Sequence, residues 1–323
     1  ETLNLMVTGN DNAAFGNRAL ASTTVGLSAA FGSYSLSANT TGTGNNAFGY
    51  FALGGNTIGT GNSAFGYQAL ISNTTGSQNS AFGYLALASN TTGVNNSAFG
   101  FQALASNTTA FENSAFGYFA LSFNTTGVSN SAFGMRALAS NSTGQNNSAF
   151  GCRSMASNTT GVNNAAYGYQ SMMKNITGYH NSAFGSFALF ENTTGIQNAS
   201  FGYNSLVTCT GGIRNAAFGA YAGYNITTGS YNTIIGYSAG YGITIGTNNV
   251  CIGNEVGFTL TTGNNNILIG ALATNLTTGN NNILIGLTAN PTTNITTTIC
   301  FSSHGTVPAG FGGNSSSFYI NPN

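Results

Sequence analysis

Of 323 residues only 3% are charged, and five bases balance five acids at zero net charge. Five scattered cations cannot form the basic patch that phosphates demand, so nucleic-acid partners are excluded. No stretch approaches the roughly 18 apolar residues of a membrane span, so the chain is not expected to be membrane-embedded. With nothing to repel one copy from the next, association is expected instead.

Residues 1–9 read as an N-terminal strand, cap or junction, because Leu3, Leu5 and Val7 alternate. From residue 10 a phrase close to Asn-Ser-Ala-Phe-Gly-Tyr-x-Ala-Leu-x-Ser-Asn-Thr-Thr-Gly recurs. Its anchor falls every 17 residues from Phe31 through Tyr167 to Ile269. A fixed short period marks stacked units that cannot bury an apolar face alone. A solvated coil has no reason to hold aromatics in phase, which argues against disorder. Helix is excluded as well, since the period does not fit 3.6-residue turns and Gly punctuates every repeat. The fold class is therefore all-β, a parallel β-solenoid or β-roll with one roughly 17-residue repeat per coil.

Within the Phe-anchored segment, residues 10–222, Ser-Ala-Phe reads as a short strand with alternating faces. The expected core ladder places Phe48, Phe65, Phe82, Phe99, Phe116, Phe133 and Phe150 inside, joined by a second column through Leu70, Leu87 and Leu104. An asparagine ladder is expected before the strand, at Asn62, Asn79, Asn96, Asn113, Asn130 and Asn147. A second runs along the corner at Asn39, Asn56, Asn73 and their equivalents. Identical amides one rung apart donate and accept along a stack. The slot after Tyr varies from coil to coil, and its Phe51, Phe119 and Phe187 are expected at an interface.

Near residue 223 the pattern changes. Leu gives way to Gly223, Gly240 and Gly257, the anchor becomes Ile, and residues 223–290 form an Ile-anchored segment. A strand such as Ile267-Leu268-Ile269 is apolar on both faces. One face belongs to the coil and the other is expected to meet another chain, with Leu268 and Leu284 as interface residues. A coil of different cross-section that buries both faces is the alternative. Residues 291–323 leave the period and read as a C-terminal cap or inter-subunit junction, with short β stretches at 297–302 and 317–320.

At Asn-Ser-Ala-Phe-Gly, and at Asn265-Asn266-Ile267-Leu268-Ile269-Gly270, residues 10–290 resemble head-domain repeats of trimeric autotransporter adhesins of the Yersinia adhesin type. They resemble still more the Asn-Thr-Thr-Gly-rich repeats of bacterial and viral tail-fibre or surface-fibre proteins. The resemblance implies a left-handed parallel β-roll, commonly trimeric, outside the cell or on a virion surface. The function it implies is a stiff stalk or multivalent adhesive head. Its partners would be further copies of the chain, as a homotrimer or head-to-tail filament, and a cell-surface glycan or protein receptor. A self-polymerising filament with no receptor is the alternative.

The residues that chemistry needs are scarce. Asp11 and Glu112 share a phase but lie six turns apart, His180 and His304 have no acidic neighbour in phase, and four Cys with two His lack zinc spacing. No catalytic residue, metal site or cofactor is expected, and the chain reads as a non-enzyme. The cysteines, in different phases, read as small buried thiols. Asn39, Asn73, Asn90, Asn107, Asn124, Asn158 and Asn192 open N-glycosylation sequons, against which stands an unmodified corner selected for turn geometry. An ice- or crystal-surface-binding role through Thr74, Thr91, Thr108, Thr125 and Thr159 is a minor alternative. Adjacent Thr are expected to point to opposite faces, leaving one outward rank where a flat array needs two.

Overall fold

The computed structural model describes residues 10–270, 276–286, 290–291, 298–302, 306–307 and 317–321. The expected N-terminal strand at 1–9 lies outside these. Among the described residues every regular element is a β-strand. The chain divides into two compact units, residues 1–163 and 164–323.

In the first unit, strands β1 (Ala13–Phe15), β2 (Ala29–Phe31), β3 (Asn46–Phe48), β4 (Ser63–Phe65), β5 (Ser80–Phe82), β6 (Ser97–Phe99), β7 (Ser114–Phe116), β8 (Ser131–Phe133) and β9 (Ser148–Phe150) follow one another. Each pairs in parallel with the next, like on like: Ser63 with Ser80, Ala64 with Ala81, Phe65 with Phe82. This is the expected parallel β-solenoid, one coil per repeat.

The second unit repeats the scheme. It runs through β10 (Ala165–Tyr167), β11 (Ser182–Phe184), β12 (Ala199–Phe201), β13 (Ala216–Phe218), β14 (Thr233–Ile235), β15 (Val250–Ile252), β16 (Ile267–Ile269) and β17 (Ile283–Gly286). Then β18 (Asn290–Pro291) pairs with β20 (Thr306–Val307). Strand β19 (Thr298–Ser302) adds to β17, and β21 (Ser317–Asn321) adds to β19, both in parallel. Strands β19 and β21 thus extend the sheet after the sequence period has lapsed.

Strands β1–β16 are only three residues long because the next residue turns the chain out of extended geometry. Gly66 sits at φ +141°, a region that side chains rarely enter, and an added Cβ would strike the Gly83 carbonyl of the neighbouring coil. Further round, Gln68, Leu70 and Gln78 all adopt left-handed backbone at φ 54°, 52° and 59°. For Leu70 that conformation costs about 1–2 kcal/mol. Complete burial of its side chain returns about 1.5–3 kcal/mol.

The interior corrects one expectation. Ala64 and its equivalents are fully buried, whereas Phe48, Phe65, Phe82, Phe99, Phe116, Phe133 and Phe150 lie on the outer face, half-buried. The strand parity was legible, but the wrong face was assigned to the core. A coil that already encloses two Asn, two Ala and a Leu has no room for a ring. Leu70, Leu87 and Leu104 do line the core, completely buried.

The Leu-to-Gly change is a matched exchange of volume. Gly223, Gly240 and Gly257 keep the Leu backbone, at φ 61°, 56° and 66°. The space fills from elsewhere: Ile226, Ile243 and Leu260 replace corner Asn, while Ile234, Cys251, Leu268 and Leu284 replace strand Ala, and all are buried. A Cβ on Gly240 would stand 3.0 Å from both Ile234 Cδ1 and Ile243 Cδ1. Leu268 and Leu284 are consequently core residues of their own coils rather than interface residues. The outward positions of those strands are Ile267, Ile269, Ile283 and Ile285.

Candidate functional site

Both asparagine ladders exist, and they point inward. In the ladder before the strand, the Nδ2 of Asn79 donates to Asn62 Oδ1 at 3.2 Å, and the Asn79 main-chain N–H donates to the same oxygen at 3.0 Å. Asn96, Asn113, Asn130 and Asn147 repeat the pattern. In the corner ladder, Asn73 Nδ2 donates to Asn56 Oδ1 at 2.7 Å. The two ladders meet at one carbonyl per coil: Asn62 and Asn73 both donate to Gly76 O, each at 2.9 Å. These amides are completely buried, and pairing removes the cost of burying them.

The corner geometry closes the expected glycosylation route. Asn39, Asn73, Asn90, Asn107, Asn124, Asn158 and Asn192 are all inaccessible, and their Nδ2 atoms already donate within the core. A sugar on that nitrogen would have to occupy the interior of the coil. The sequence holds further triplets of the same spacing, and among the described residues Asn95-Asn96-Ser97 and Asn146-Asn147-Ser148 have an exposed first Asn, while that of Asn225-Ile226-Thr227 is half-buried.

The first unit's ladder starts on a cap, Asn39 Nδ2 donating to Thr23 Oγ1 at 2.7 Å. In the second unit the corner ladder stops at Cys209, and Asn192 Oδ1 is left buried without a partner. Burial pushes the Cys209 and Cys251 thiols up to about 12, so neither is a nucleophile. Cys152 is half-buried at the surface, correcting its placement among the buried thiols. The side chain of Cys300 lies outside the described residues.

The outer strand face carries what the interior excludes. Phe31 through Phe150 form one column, with successive ring centroids 4.6–4.8 Å apart and planes within 5–7° of parallel. Beside it Tyr50, Tyr67, Tyr84, Phe101 and Tyr118 stack at 5.1–5.5 Å. Rings stacked on one another cover their own faces, so these columns offer edges rather than flat platforms to a ligand. Phe51, Phe119 and Phe187 are half-buried on this surface. Phe51 stacks on Tyr34 at 4.6 Å, and Phe119 and Phe187 meet Tyr118 and Tyr169 edge to face.

In the second unit the outward strand positions turn aliphatic at Val250, Ile252, Ile267, Ile269, Ile283 and Ile285. Among the described residues no three His, Cys, Asp or Glu gather as a metal would require, and no helix is long and apolar enough to cross a membrane. The chain matches no protein-family model and no curated protein.

Proposed function

We propose that this chain is a non-enzymatic structural module of an extracellular fibre or adhesin, at a cell or virion surface, which associates with copies of itself. One observation carries the reading: the outward strand positions of β2–β17 are Phe, Tyr, Ile, Val, Ala, Ser, Thr or Asn and never charged. An uncharged rank rising one residue per rung is commensurate with the same rank on a second copy, and contiguous apolar surface of this kind marks interaction sites. The interior supports a stiff stalk, since hydrogen-bonded coils and paired amides resist both stretching and slippage. The variable slot at Gln68, Leu85, Gln102, Arg136 and Arg153 is where a receptor would distinguish one stretch from another.

Light scattering on purified protein, with electron microscopy giving mass per length, tests this. Multi-chain rods of fixed length are expected, and the double substitution Ile267→Lys and Ile269→Lys should dissociate them. A monomer at every concentration would overturn the association, and rods of indefinite length would identify a polymer instead.

A further inference from the structure

A different face carries a second inference. At the corner, Asn73 points inward while Thr74 and Thr75 are both exposed. The corner is a bend rather than a strand, so consecutive residues need not alternate, and the expected single outward rank becomes two.

The first rank is held rigidly. The hydroxyls of Thr57, Thr74, Thr91, Thr108, Thr125 and Ser142 each donate to the carbonyl of the next coil at 3.0–3.2 Å. With each hydroxyl bonded alike, the γ-methyls of the Thr members are oriented alike. The second rank is Thr75, Thr92, Thr109, Thr126, Thr143 and Thr160, all exposed, with hydroxyls that bond nothing among the described residues. Parallel coils repeat at about 4.8 Å, so both ranks are regular.

Exposure alone does not select Thr. Two and three residues further on, the slots hold Ser77, Val94, Phe111 and Val128, then Gln78, Asn95, Glu112 and Ser129. The second rank stays Thr although its hydroxyl bonds nothing in the coil. Between residues 41 and 262 it departs at Ile58 and Ile245, where the β-branch and γ-methyl survive, and at Gly211, where they do not; no charge appears. Regular methyls with interspersed hydroxyls on a rigid, neutral surface suit ordered water. Methyls occupy voids in a hydrogen-bonded water lattice while hydroxyls join it, and a preorganised surface loses little entropy on binding.

We propose that the paired Thr ranks of residues 74–160 form an ice-binding face. This does not rest on the fibre reading, because it uses another surface. The experiment measures ice-crystal shaping and thermal hysteresis of the full chain, repeated on the Ile267→Lys, Ile269→Lys variant. Wild type should facet growing ice. Thr109→Lys, Thr126→Lys and Thr143→Lys combined should lower hysteresis at least tenfold with an unchanged circular dichroism melt. The corresponding Val substitutions should keep most of it. Round, unfaceted crystals with wild type at its highest soluble concentration would overturn the proposal. So would full activity in the triple-Lys variant.

Discussion

Replacing Asn124 with Ala removes a rung from the middle of the corner ladder. Lost at once are its donations to Asn107 Oδ1 at 3.1 Å and Gly127 O at 2.9 Å, and the bond it accepts from Asn141 Nδ2 at 2.8 Å. The Gly127 carbonyl is still served by Asn113 Nδ2 at 2.9 Å, and Asn141 still donates to Gly144 O at 3.0 Å. The lasting damage is therefore one buried acceptor, on Asn107, and one buried N–H, on Asn141. At about 1–3 kcal/mol for each orphaned group, the loss should be about 2–6 kcal/mol. Cys209→Asn is the counterpart. Its new amide would satisfy Asn192 Oδ1, but its own oxygen would face Ile226, so the orphan moves one coil and stability changes by less than about 1 kcal/mol. Because coils open locally in repeat arrays, the assay is native-state hydrogen exchange resolved by peptide, alongside a denaturant melt of the full chain. Unaltered protection across residues 107–141 in Asn124→Ala, or equal losses in the two variants, would refute the reasoning.

Leu104→Ala should cost about 2–5 kcal/mol because it opens a core cavity, while Phe99→Ala should cost clearly less, its ring being outside; reversed rankings in chemical melts would put the ring back inside. Gly257→Ala places a Cβ 2.9 Å from Cys251 Sγ, at φ +66°. It should destabilise by about 1–3 kcal/mol, and Cys251→Ala should recover part of that in a double-mutant cycle. A thiol reagent at pH 8 should label Cys152 and spare Cys209 and Cys251, as read by peptide mapping. Folded Cys209 ionises near 12 against an ordinary 9.0, so its contribution is whole below pH 9 and disappears between 9 and 12. Against a Cys209→Ala reference the slope there should be about 1.4 kcal/mol per pH unit. In a host that attaches N-glycans, mass spectrometry should find corner peptides bare and sugar at Asn95 or Asn146.

Much of this fold is written in the period. Seventeen residues between identical phrases dictated stacking, register and both amide ladders, since only in-phase copies can pair Asn with Asn. Which face looked inward was harder, because Phe65 and Ala64 are equally regular. The clue lay in covariation along the chain: the strand Ala becomes Ile234 or Cys251 in the coils where Leu becomes Gly240 or Gly257, and two positions that trade volume share a cavity. The sequons misled because a local triplet says nothing of where its nitrogen points. The double Thr rank stayed hidden because strand alternation was applied to a bend.

Every ladder amide donates toward the preceding coil and offers its oxygen to the following one. Within each unit the amide dipoles consequently add, giving a nearly charge-free column an electrical sense of direction. A coil added at the carboxyl side finds an acceptor already in place and leaves its own oxygen open for the next, whereas a coil added at the amino side finds a donor in place and leaves an N–H open.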